Sequence, residues 1–205
     1  MKFLGIDHAP SNYAICIIDG DNNIVHQENF KFKGQDFDAE KLLEIKKRLN
    51  TLDLSDVQFA CLEGYAINER FYREIMGEIG AINRIFLLEH RVPFAIISPI
   101  QLKYYHTGSG KSTKEALRAR VKESLPEIGK DLNISDAGAL ALYARDIFML
   151  TASGLMPGDK DKQKLIKELC LPKESEAPKK RRMLYLNDTV MPQFSWAVKD
   201  SIAKK

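Results

Sequence analysis

The chain has 205 residues, 44% of them hydrophobic, which suits one domain with a substantial core and an appendage. No apolar run approaches the ~20 residues needed to cross a bilayer, and the N-terminus lacks a basic start, a long apolar stretch and a small-residue cleavage site, so neither a membrane span nor a secretory signal is expected. The net charge of +3 is uneven: residues 154–205 carry 12 Lys/Arg against 7 Asp/Glu, a net +5, and the rest carry 19 against 21, a net −2. A near-neutral body with a basic tail suits local contact with a polyanion, or a tail that merely keeps the chain soluble. Cys16, Cys61 and Cys170 have no metal-ligand spacing, and the first two fall in apolar runs, as core thiols of a reducing, cytoplasmic compartment do.

Phe3-Leu4-Gly5-Ile6-Asp7 is a short apolar run that ends on a carboxylate, and Tyr13 to Ile18 is a second apolar run. Two antiparallel strands joined by a turn are predicted, with Asp7 at the edge of a buried sheet. A carboxylate there is costly to desolvate without a partner, although turns also favour exposed aspartates. Asp19-Gly20-Asp21-Asn22-Asn23 is a turn signal, and Ile24 to Lys33 alternates as a third strand. A helix is expected from Asp38, its stripe formed by Leu42, Leu43, Ile45 and Leu49. Val57 to Glu63 repeats the opening pattern of an apolar strand ending on one carboxylate.

A long helix is predicted from about Phe71 to His90, with Ile75, Ile79, Ile82, Phe86 and Leu87 on one face. Gly77 and Gly80 in its interior each cost roughly 1 kcal/mol relative to Ala, which suggests close approach of another helix, here assigned to a second subunit. Val92 to Ile97 reads as a fifth strand, Ser98-Pro99 as a helix start, and Gly108 to Lys114 as a loop bearing glycine and lysine. Ser112 and Glu115 have capping-box spacing for the next helix. Ser135 is the expected cap of the last body helix, with Asp136 in its first turn and Ala137, Gly138, Ala139 and Ala141 small enough to let it lie close to a sheet. Beyond Gly154 a linker over 157–162, a short amphipathic helix over 164–171 and a polar, mobile segment are expected, and Met183 to Leu186 can pack back on the body.

Asp7 and Glu63 end apolar strands and Asp136 opens a helix, so neighbouring strands would set three acids together. Clustered carboxylates repel and raise one another's pKa, a condition relieved by a hard divalent cation such as magnesium or manganese. Gly110-Lys111-Ser112 is not a nucleotide-binding P-loop, since the glycine required five residues before Gly110 is Tyr105, and no nucleotide cofactor is expected.

In this order the residues resemble the RuvC family of Holliday-junction resolvases, within the ribonuclease H-like nuclease superfamily. Leu4-Gly5-Ile6-Asp7 is similar to the family's first motif and Leu62-Glu63 to its second. The Gly108–Lys114 loop with Glu115 is similar to the family's lysine-bearing segment, and Asp136-Ala137 with Leu140-Ala141 to its terminal motif. The resemblance covers about residues 2–150. It departs at Asn133, where the family commonly has an acid or histidine, and at His8, where it tends to have proline or a small residue. Asn133 is a neutral and weaker ligand unless Asp131 substitutes for it, and His8 reads as a turn residue without a role.

The resemblance implies an α/β, ribonuclease H-like fold: a five-stranded mixed sheet flanked by helices over 1–153, then a basic, partly flexible C-terminal extension over 154–205. It implies a homodimer formed through the Phe71–His90 helix that cuts branched DNA, in particular four-way junctions, by two-metal phosphodiester hydrolysis with two Mg2+ ions, Mn2+ substituting. Asp7, Glu63, Asp136 and Asn133 would be metal ligands, and Lys111 or Lys114 would stabilise charge at the scissile phosphate. Tyr65, Arg70, Lys103, Lys111, Lys114 and Arg118 are candidate DNA contacts. The chain's length and its departures leave room for a phage or viral member, acting in a host cytoplasm. Two other readings stand beside this one: a ribonuclease H-like enzyme acting on RNA or flaps, and a branched-DNA-binding protein weakened in catalysis.

Overall fold

The computed structural model describes residues 1–32, 39–64, 73–153, 160–170 and 184–185. Strand β1 (Lys2–His8) forms an antiparallel hairpin with β2 (Asn12–Asp19), which pairs antiparallel with β3 (Ile24–Lys31). The β2–β3 turn is held by the Asp19 carboxylate, which accepts from the backbone N–H of Asp21 and Asn23 at 2.9 and 2.8 Å. After helix α1 (Ala39–Leu49), strand β4 (Val57–Glu63) returns parallel to β1, and α2 (Arg73–Glu89) carries the chain over to β5 (Phe94–Ile97), parallel to β4. Helices α3 (Pro99–Thr107), α4 (Lys114–Ser124), α5 (Leu132–Ser153) and α6 (Lys160–Cys170) follow. The five-stranded mixed sheet has the order β3-β2-β1-β4-β5, and β6 (Leu184–Tyr185) adds a sixth, two-residue strand antiparallel to β5.

Strand alternation splits the core into two layers. Phe3, Ala14, Cys16, Ile18, Phe59, Cys61, Ala95 and Ile97 face α5, with α3, α4 and α6 packed around it. Leu4, Ile6, Tyr13, Ile15, Ala60 and Leu62 face α1 and α2, whose Ile45, Leu49, Ile79, Phe86 and Leu87 close that side. Helix α3 is pinned to α5 by Tyr105, whose hydroxyl donates to Asp146 Oδ2 at 2.7 Å while Arg145 holds the other oxygen of that carboxylate at 2.7 Å. Ser98 caps α3 and Pro99 occupies its first turn, as predicted.

Several local expectations are corrected. Leu43 is half exposed, so the α1 core stripe is Ile45 and Leu49 with Leu42 partly buried. The cap of α4 is Thr113, whose Oγ1 accepts from Ala116 N at 3.2 Å, because the Ser112 hydroxyl is taken up by Thr107 Oγ1 at 2.7 Å. Helix α5 starts three residues before Ser135, whose hydroxyl donates to the Asp131 carbonyl inside the first turn. The capping acceptor is Asp131, which receives Asn133 N at 2.8 Å and Ile134 N at 3.4 Å, so Asp136 falls in the second turn. Helix α6 begins at Lys160, inside the expected linker, and its Ile166 is fully buried in the α5-side core. The Leu184–Tyr185 strand packs back on the sheet, and the remainder of 171–205 lies outside the described residues. No helix of the described residues is long and apolar enough to cross a membrane.

Candidate active site

The parallel register of β1 and β4, Gly5 opposite Cys61 and Ile6 opposite Leu62, brings Asp7 and Glu63 level at the carboxyl end of two central strands. Both are two residues beyond a position facing α5, so both point to that side. Gly5 sets how closely α5 can lie. A Cβ there would overlap the Ala137 carbonyl oxygen and lie 2.5 Å from the Ala141 nitrogen, so the helix backbone rests directly on β1. Asp136, the residue before Ala137, is thereby set among the strand-end acids. Asp7 is 6% exposed and Asp136 5%, unusual values for carboxylates.

The three acids share one electrostatic environment. Burial, the charge of Asp7, a hydrogen bond with Asp7 and the charge of Asp136 hold Glu63 well above the usual carboxylate range, with Lys114 opposing them. Burial first and Asp7 second push Asp136 up to about 6, against the pull of Lys114 and Lys103. The Lys114 ammonium lies 2.6 Å from Asp136 Oδ2 and 3.4 Å from Asn133 Oδ1. Burial lowers the Lys114 pKa, but hydrogen bonding to Asp136 and the charges of Asp136, Asp7 and Glu63 more than offset this and raise it.

Asp7, Glu63, Asp136, Asn133 and Lys114 thus come together as a group. Lys111 is exposed on the Gly108–Lys114 loop, and no carboxylate of the described residues pairs with it. Lys103, half-buried on α3, acts electrostatically on Asp136 and Glu115, and the sequence carried no sign of that proximity. Arg118 is half-buried one turn along α4 from Lys114. Tyr65 and Arg70 lie outside the described residues, as do Phe71 and Tyr72. Asp131 is committed elsewhere, to the backbone of α5 and to Asn29 Nδ2 at 2.9 Å. His8 is not a solvated turn residue. It ends β1 at 2% exposure, with its ring beside Tyr13, and burial lowers its pKa to about 4 against the charge of Asp7. Besides the small residues of α5 itself, Gly5 is a signal that could have located the helix over β1 in advance, since glycine inside an apolar strand marks close backbone approach.

The donor set fits a hard cation: it is all oxygen, it carries excess negative charge, and Asp136 Oδ1 is shielded from solvent without a hydrogen-bond partner. Among the described residues no three His, Cys, Asp or Glu side chains are gathered tightly enough to hold a metal ion with the side chains as placed. The Lys114 ammonium takes the Asp136 oxygen that such an ion would compete for.

A mixed sheet in the order β3-β2-β1-β4-β5, with acids on β1, β4 and the helix crossing them, is a ribonuclease H-like architecture with three carboxylates gathered at one sheet edge. The comparisons narrow this class. No family model matches the chain. The chain is 33% identical over 151 residues to the "Crossover junction endodeoxyribonuclease RuvC" of Aliarcobacter butzleri (strain RM4018), a match spanning 69% of this chain and 96% of the relative. It is 29% identical over 151 residues to the protein of that name from Sulfurovum sp. (strain NBC37-1), covering 69% and 93%. The chain belongs to the RuvC crossover junction endodeoxyribonuclease family. In fold it is similar to Thermus thermophilus RuvC, with TM-score 0.61, 22% identity and coverage of 73% of this chain and 95% of that one. A second structure of that protein, in complex with a Holliday junction substrate, matches with TM-score 0.61 at 22% identity over 69% and 91%.

Proposed function

We propose that this chain is a magnesium-dependent endonuclease that cuts four-way and related branched DNA by hydrolysing phosphodiester bonds. The convergence of Asp7, Glu63 and Asp136 on one sheet edge, with Lys114 against Asp136, carries the proposal, and the names of the relatives supply the substrate class. Asp7, Glu63, Asp136 and the neutral oxygen of Asn133 are read as the side chains that would hold the ions, with Asp7 central to the set. Two Mg2+ ions bound there, or Mn2+ in their place, would supply an activated water and charge neutralisation at the leaving oxygen. The protein prepares for that charge by holding the acids close enough that each makes its neighbours costlier to ionise. For its Oδ2 to become a ligand, Asp136 must release Lys114. The freed ammonium would stabilise charge that builds on the scissile phosphate during hydrolysis. Lys103, from the pinned α3, adds positive potential to the same edge, and Lys111, Tyr65 and Arg70 are read as contacts to the DNA arms.

We read the outer side of α2 as the surface on which two copies meet, giving two sites related by a twofold axis. Gly77 has nothing within 4 Å of where a Cβ would sit, and Ile85 and Leu88, further along the helix, are half exposed.

Nicking of a labelled synthetic four-way junction, with and without Mg2+, tests the assignment. The wild-type protein should cut in Mg2+ only, and Asp7→Asn should cut slower by roughly 10²–10³-fold while still binding the junction. Wild-type rates in Asp7→Asn would sink the reading. Preference for an RNA–DNA hybrid or a flap in the same substrate panel would transfer the activity to another nucleic acid.

A further inference from the structure

Helix α4 leaves the candidate site with a row of cations, of which only the first, Lys114, is paired with a carboxylate of the described residues. Lys114, Arg118 and Lys122 recur every fourth residue along one side, beside the buried seam of Leu117, Val121 and Leu125. On a helix this spacing is about 6 Å of rise, comparable with the distance between successive phosphates of a nucleic-acid strand. Lys114 opens the row and reaches Asp136.

Arg118 is the informative member. Its Nε is shielded from solvent yet has no hydrogen-bond partner. Three other arginines of the described residues are paired with carboxylates: Arg48 with Glu28 and Glu44, Arg145 with Asp146, and Arg120, on another side of α4, with Glu123 at 3.1 Å. A partly desolvated guanidinium without an acceptor is costly, and a phosphate satisfies its planar donor fork. Among the described residues, a carboxylate therefore neutralises Arg120 on the opposite side of α4, while Arg118 and Lys122 on this side stay charged beyond the Lys114–Asp136 pair.

We infer that the Lys114–Arg118–Lys122 side of α4 is a phosphate track: it binds the backbone of the DNA strand that leaves the scissile position, with Arg118 on the first phosphate beyond the site. This rests on the nuclease reading above and adds to it the direction in which the strand runs. The contacts are to the backbone, so they fix the position of the strand without reading its bases.

The test is junction binding by the full chain, measured in chelator so that nothing is cut, over a salt series from about 50 to 200 mM. Each lost phosphate contact should flatten the dependence of log affinity on log salt by roughly 0.9 for duplex or 0.7 for single strand, so the wild type loses roughly threefold more affinity over that range than Arg118→Ala. Lys122→Ala should flatten it similarly, and Arg118→Lys should restore most of the wild-type slope. Arg120→Ala, which only breaks the pair with Glu123, should leave it unchanged. Should Arg118→Ala melt early, Arg118→Gln keeps the stem and removes the charge. A wild-type slope in a folded Arg118 variant, with the wild-type chain binding normally, overturns the track and spares the nuclease reading. Absence of salt-dependent junction binding in the wild type overturns both.

Discussion

The chemistry is concentrated at Asp136. Its neighbours make ionisation costly in the folded protein, and the direction of the resulting pH effect follows. The folded pKa of about 6 lies above the ordinary 3.8, so the folded state binds this proton more tightly than the unfolded state does. The associated stability is complete below the unfolded value and is lost as pH rises from 3.8 towards 6. In chelator at pH near 8, Asp136→Asn should therefore raise stability by about 3 kcal/mol, and at pH near 4 it should change little. Thermal melts at the two pH values check this, and equal shifts would contradict it. Lys114→Ala should act oppositely at pH near 8, since it leaves the carboxylates without their cation. The buried His106, its pKa lowered to about 4 by burial against a 2.9 Å hydrogen bond to the Ala139 carbonyl, runs the other way and loses stability as pH falls from 6.5 towards 4.

Among the elements, α5 decides whether a site exists. It lies across β1 only because Gly5 has no side chain, and the atoms a Cβ would meet are backbone of Ala137 and Ala141, which cannot rotate away. Gly5→Ala should cost at least about 3 kcal/mol, more than ordinary overpacking, and should separate Asp136 from Asp7. Chemical denaturation, with nicking activity followed in parallel, measures both effects. Gly77→Ala on α2 is the contrasting case. There the added methyl meets open space, and relief of the glycine penalty should stabilise the folded chain by up to about 1 kcal/mol. At the start of α4, Thr113→Ala should cost about 1 kcal/mol through loss of the cap and should loosen Lys114, the next residue.

For the whole molecule, the bare face of α2 lies on the opposite side of the sheet from α5 and the acids. Changes there should therefore separate assembly from chemistry. Leu88→Glu should shift the protein towards monomer in sedimentation and leave nicking of single strands in place, while paired cuts on opposing strands of one junction become rare. A wild-type sedimentation profile for this variant would remove α2 as the contact surface. The added β6 strand and the buried Ile166 of α6 show that parts of the 154–205 segment pack on the body.

Periodicity and strand-end chemistry were enough to place β1, β2, β4, α2 and α3 and to single out Asp7, Glu63 and Asp136, because alternation, helical stripes and acids ending apolar runs are local signals. The order of those motifs carried the family. Local signals did not settle capping. Ser112 and Ser135 have the right spacing, but Thr107 claims the first, and Asp131 starts α5 before the second. Nor did they show that Lys103 reaches Asp136, that Asp131 is spent on Asn29 and the α5 backbone, or that Arg118 alone of the α4 arginines lacks a carboxylate. Those facts depend on which surfaces meet, and the meeting is set by the register of β1 on β4 and by α5 resting on Gly5. The sequence by itself determined which acids end the central strands and stand near the start of the crossing helix; tertiary packing decided that they meet and which cations stand beside them, because a charge's partner is fixed by distance in space and not along the chain.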